Sequence, residues 1–131
     1  MIITPNAMIV AWGTPDGARG DGTRTFTDAW DPLVQHRWLQ CRVEDPSWAD
    51  RQIPTMRDVQ RGRTLLVYAG PLAARGVPKP AVGDRVRLRM LDRSGKPSGE
   101  ELTYIVADLR DGGAKGAAGS PDILRVMLVP G

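Results

Sequence analysis

A chain of 131 residues with 41% apolar and 25% charged side chains has the size and balance of one soluble globular domain, which excludes disordered and fibrous classes. Cys41 is the only cysteine, so no disulfide within the chain can staple it. A net charge of +3, from eighteen cations and fifteen anions, is too balanced for a dedicated polyanion binder unless the cations cluster.

The chain starts Met1-Ile2-Ile3-Thr4-Pro5-Asn6, apolar but without a basic leader and interrupted by Pro5, so neither a secretory signal nor a membrane span is expected. Residues 7–12 form an apolar run that predicts a strand, followed by a predicted loop over 13–23 that holds four glycines. Residues 23–30 alternate, with Arg24, Phe26, Asp28 and Trp30 on one side. Residues 37–43 place Leu39, Cys41 and Val43 on one face and Trp38, Gln40 and Arg42 on the other. Helix signals are poor, and the best are short segments at 47–52, after Pro46, and at 56–60. Residues 63–69 are nearly all apolar and predict a strand buried on both faces.

The next segment is the most regular. Arg85-Val86-Arg87-Leu88-Arg89-Met90, the turn Ser94–Gly99 and Glu101–Val106 predict a hairpin with one apolar and one arginine-studded face. Pairing Met90 with Leu102, Leu88 with Tyr104 and Val86 with Val106 leaves Arg85, Arg87 and Arg89 opposite Ala107, Ile105 and Thr103 on the outside. That arginine row has three readings. It is a solvated face, or a subunit interface pairing with acids such as Glu44, Asp45 or Glu101 of a neighbour, or a phosphate contact. No aromatic residues interleave with it, so base stacking is not supported. A last strand is predicted over 122–129. Between it and the hairpin lies the Gly-rich stretch 110–121, the tip of a long hairpin, with Arg110, Gly112, Gly113, Lys115, Gly116 and Gly119. Six or seven short strands with turn signals between them predict a mainly β fold: one antiparallel barrel or sandwich with long loops and little helix. Within this single domain residues 1–61 read as an irregular, Trp-rich part, and residues 62–131 as the more regular part.

Candidate chemistry is sparse. His36 and Cys41 are single residues of their kinds, and Cys41 sits in an apolar alternation that suits a core position better than a nucleophile. One His and one Cys leave a zinc tetrahedron short of ligands. Gly95-Lys96-Pro97-Ser98 lacks the spacing of a phosphate loop, and the N-terminal aspartates fit no EF-hand. No catalytic, cofactor-binding or metal residue is nominated, and an enzyme is not expected. The four tryptophans, 12, 30, 38 and 48, either cap the core or anchor a partner. Trp38 and Trp48 are the interface candidates.

Leu65-Leu66-Val67-Tyr68, then Val82-Gly83-Asp84-Arg85-Val86, a Gly-containing turn and Tyr104-Ile105-Val106 together resemble the small β-barrel proteins that close or stop the head–tail junction of tailed bacteriophages. The likeness covers about residues 62–129. It implies a structural virion protein assembled in the host cytoplasm as a homo-oligomeric ring between portal or adaptor and tail, without cofactor or membrane contact. In that reading the 110–121 segment projects toward a partner or toward DNA in the channel. The alternatives are a nucleic-acid-binding small barrel using Arg85, Arg87 and Arg89, or another tail component such as a terminator or baseplate subunit.

Overall fold

A computed structural model describes residues 4–29, 39–45, 62–77, 79–111 and 123–131. The strands are β1 (Ala7–Ala18), β2 (Arg24–Asp28), β3 (Leu39–Glu44), β4 (Arg63–Tyr68), β5 (Arg85–Leu91), β6 (Pro97–Asp111) and β7 (Ile123–Pro130), with one short helix, α1 (Ala69–Ala74), after β4. Six strands pair antiparallel in the order β1-β3-β4-β7-β6-β5, and β5 returns to β1, closing a barrel; β2 is an extra strand added to the far half of β1. Of the two expected β architectures, the chain adopts the barrel. Closure gives each of the six barrel strands a partner on both sides. Both halves of the chain contribute staves, β1 and β3 from the first and the other four from the second.

The alternating segments bury the faces their patterns mark. Leu39, Cys41 and Val43 point inward from β3, Val86 and Leu88 from β5, and Val126 and Leu128 from β7. β4 alternates too: Leu65 and Val67 join the core while Thr64, also buried, turns to the other face. Two bulges reset this period. Ile9 pairs with Leu88 but Ala11 with Arg87, so β1 carries one extra residue there, and Ile9 and Trp12, three apart, both reach the core. A second bulge in β6, between Val106 and Asp108, does the same for Val106 and Leu109.

The β5–β6 register is offset by two from the predicted one. Arg85 faces Ile105, Val86 faces Tyr104, Arg87 faces Thr103 and Leu88 faces Leu102. Every side chain keeps its predicted face, because a slip of two preserves the pleat. The offset arises at the turn end. Asp92 Oδ1 accepts the Ser94 and Lys96 N–H groups at 2.9 and 3.0 Å, and Gly95 takes φ +81°. Beyond it, β6 fits two extra residues opposite Arg89, with Gly99 at φ +73°.

The predicted loop over 13–23 is for the most part strand. β1 runs on through Ala18, turns over 19–23 and returns as β2, forming a two-stranded arm. The turn is closed by Arg19 N donating to Thr23 O at 2.7 Å, with Gly22 at φ +86°. Asp16 in β1 accepts hydrogen bonds from the hydroxyls of Thr25 and Thr27, which lowers its pKa. Cross-strand pairing and these side-chain bonds outweigh the Gly and Pro content. The predicted helical segments at 47–52 and 56–60 lie outside the described residues.

Helix α1 has no counterpart in the predicted elements. It stops in a Schellman motif: Val77 N donates to Leu72 O at 3.2 Å, Gly76 N donates to Ala73 O at 3.0 Å, and Gly76 has φ +100°. Leu72 and Val77, the two apolar residues of that motif, are both buried in the barrel core. The register therefore gives the barrel two unlike ends. At one, where β4 ends and β5 begins, α1, Trp12 and Asp84 close the interior. The β1–β2 arm extends from this end, and the β6–β7 stem, flanked by β4 out to Ile123, ends there too. At the other end, among the described residues, Val43, Leu88, Met90, Leu102 and Tyr104, with Arg42, Glu44, Asp45 and Arg63 around them, line a cavity of about 460 Å³.

Candidate functional site

The arginine row lies on the outer wall of β5, flanked by β1 and β6. Opposite Arg89, Arg87 and Arg85 on β1 stand Met8, Ala11 and Gly13. Gly13 also faces Asp28 of β2 on its other edge, so Asp28 reaches over a residue without a side chain to the arginines. Its carboxylate accepts Arg87 Nη2 at 2.6 Å and Arg85 Nη2 at 3.4 Å. Glu101 of the same chain accepts Arg87 Nη1 at 3.2 Å. The Arg85 guanidinium lies 4.8 Å over the Phe26 ring, and Arg89 donates to Gly99 O at 3.0 Å. The stems pack so closely that the Nε atoms of all three arginines are buried without a hydrogen-bond partner.

This face is a clamp holding the arm against the barrel. Patterning identified the three arginines and Glu101 as a partner type, but on a neighbouring molecule. It did not identify Asp28, which is distant in sequence and meets Arg87 only through the β1–β2 turn. The ion pairs are partly exposed, so each is worth about 0.2–1 kcal/mol. Gly13 is what leaves their path open. A Cβ at position 13 would stand 3.0 Å from Asp28 Oδ1 and 3.3 Å from Phe26 Cβ. Gly13→Ala is accordingly expected to push Asp28 off Arg85 and destabilise the chain by about 1 kcal/mol in urea unfolding. Hydrogen exchange should rise in the arm and remain unchanged in β4 and β7.

The other nominated positions divide between the described residues and the rest. Arg110 stands near the end of the β6–β7 stem, its Nε 3.4 Å from Asp108 Oδ2, and the stem stays paired out to Asp111 opposite Leu124. Gly112, Gly113, Lys115, Gly116 and Gly119 lie outside the described residues, as do Trp30, Trp38, Trp48 and His36. Cys41 is fully buried in the core, and burial pushes its thiol pKa up, away from nucleophilic use. Glu44 and Asp45 pair within the chain, with Arg42 and Arg63, each at 3.5 Å. Among the described residues no group of three or more His, Cys, Asp or Glu is placed to hold a metal ion.

Gly83 and Asp84, which carry part of the resemblance, have a physical task in the structure. Gly83 N donates to Val106 O at 2.9 Å and Val106 N donates to Asp84 O at 2.8 Å, which starts the β5–β6 ladder. The Asp84 carboxylate turns inward, where Oδ2 accepts Trp12 Nε1 and Ala81 N, both at 2.9 Å. Asp84 is 2% exposed and Trp12 fully buried. An aspartate just ahead of an alternating strand, with a tryptophan ending an apolar run, is the only signal the sequence offers for this bond. Comparison with protein-family models, with curated proteins and with solved structures finds no match.

Proposed function

We propose that the chain is a structural subunit of a tailed-phage neck, joining or closing the head–tail connector as a homo-oligomeric ring. The observation that supports this reading most is the polarity of the barrel. Among the described residues, a plugged end carries the arm and the end of the β6–β7 stem, where the Gly-rich segment departs, while a cavity lies at the far end. A barrel from whose plugged end such a segment departs suits a subunit that meets its neighbours through it. The likeness of residues 62–129 to head-closure proteins points the same way. The nucleic-acid reading is the weaker, because Arg85 and Arg87 already hold Asp28 and Glu101 and so offer phosphate less free charge.

Its partners in this reading are further copies of itself, portal or adaptor and tail proteins, and DNA through the Gly-rich segment. The test is electron microscopy of the purified chain and of virions assembled with it. Rings, together with loss of DNA-filled particles on deletion of residues 112–118 while the barrel stays folded, are expected. A deletion that leaves particle assembly and DNA retention intact would overturn the proposal.

A further inference from the structure

Barrel closure leaves β2 as the one described strand with a partner on a single side. Its hydrogen-bonding parity follows from the next residue: Ala29 N donates to Trp12 O at 2.7 Å, so residue 29 turns its backbone groups toward β1. In an antiparallel ladder alternate residues do the same. Thr27 and Thr25 therefore face β1, and Arg24, Phe26 and Asp28 turn their N–H and C=O groups to the free edge. The β1 bulge between Pro15 and Gly17 does not disturb this, because the extra residue is in β1. The parity also suits Pro15, which has no N–H to give and stands opposite Phe26.

The edge lacks the usual guards. β2 holds no proline, no lysine and no bulge, whereas the other free flank of the arm, β1 beyond Gly13, carries Pro15, Asp16 and Gly17. Its sequence, Arg-Thr-Phe-Thr-Asp, is complementary to itself when reversed. We propose that the β2 edge docks against β2 of a second copy, antiparallel about a two-fold axis through Phe26. Phe26 then opposes Phe26 of the second copy as a hydrogen-bonded pair, Thr25 opposes Thr27, and Arg24 opposes Asp28 twice. The same parity makes positions 24, 26 and 28 the hydrogen-bonded ones in this register. The contact is isologous, the same patch on both molecules. Arg24 is exposed and forms no ion pair among the described residues, so it can join Asp28 of the second copy beside Arg85 and Arg87. A five-residue edge buries less than the roughly 1,000 Å² of a stable interface, so the dimer is weak and concentration-dependent unless other contacts reinforce it.

Pairing through position 26 predicts a cross-linking pattern that no other register shares. Under mild oxidation the full chain carrying Phe26→Cys is expected to form a covalent dimer, since hydrogen-bonded antiparallel partners stand about 5.5 Å apart at Cα, within disulfide reach. Thr25→Cys alone should cross-link at least ten-fold more slowly, and an equimolar mixture of Thr25→Cys and Thr27→Cys should give the heterodimer. Cys41 is buried and does not compete. In sedimentation velocity the unmodified chain should self-associate as concentration rises. Arg24→Glu, which sets acid against Asp28, should abolish this with an unchanged circular dichroism spectrum, and Arg24→Lys should preserve it. Equal cross-linking at 25 and 26, or association unaffected by Arg24→Glu, would overturn the proposal. It does not rest on the neck reading: rings that form without the 26–26 cross-link would keep that reading and remove this one.

Discussion

Replacing Trp12 with alanine is expected to cost about 3–5 kcal/mol, a large share of the roughly 5–15 kcal/mol that holds a domain folded. The indole is wholly buried where β1 meets β5, beside the plugged end of the barrel, and its removal opens a cavity there. It also takes one of two hydrogen bonds from the buried Asp84 carboxylate. An under-satisfied buried polar group adds its desolvation penalty to the lost packing. Trp12→Phe separates the two effects, since it keeps most of the apolar volume and deletes only the donor. Asp84→Ala deletes the acceptor and is expected to cost about 1–3 kcal/mol through the orphaned indole N–H and Ala81 N–H. Urea unfolding of the two single variants and of the double variant measures the coupling directly. Additive costs would mean that the 2.9 Å bond contributes nothing beyond packing.

The second large effect is expected at Leu72. Leu72→Ala should destabilise by about 2–5 kcal/mol, whereas Leu102→Ala at the other end should cost about 1 kcal/mol. Leu72 is fully buried, held there by the Schellman motif that ends α1, and its deletion leaves a void that the closed strands cannot collapse to fill. Leu102 borders the cavity and is 38% exposed, so part of its apolar surface already lies in water and its removal costs less. Equal costs in thermal or urea unfolding would mean that the ends of the barrel are not unlike in the way the register implies. Gly76 belongs to the same device. It has φ +100°, and a Cβ there would approach Ala29 O to 2.8 Å, so the turn after α1 also fixes how closely the arm's last residue sits against the plug.

These two positions show how far the residues could be read without the fold. The inward faces of β3 and β5 were legible because period-two alternation is a local property that burial on one side enforces. The arginine face was legible for the same reason. The β5–β6 register was not, because a slip of two changes no face, and the choice lies in the Asp92 turn and the bulge at Gly99. The bulge in β1 defeated alternation at Trp12: counted by twos from Ile9, Trp12 points outward, and the extra residue turns it in. Helix α1 leaves no trace in local patterning because Ala-Gly-Pro-Leu-Ala-Ala has low intrinsic helicity. Its stability comes from burying Leu72 and Val77, a tertiary gain invisible to local propensity.

A mainly β domain with an arginine-faced hairpin follows from composition and periodicity alone, since both express the local geometry of a half-buried strand. Closure into a barrel, the unlike ends, the turn of Asp84 toward Trp12 and the occupation of Arg85 and Arg87 by Asp28 do not. Each joins residues far apart in the chain: Trp12 with Asp84, 72 positions on, and Asp28 with Arg87, 59 positions on. Such contacts exist only after the ladder has brought β1 beside β5, and no pattern within a single segment encodes which strand will be its neighbour.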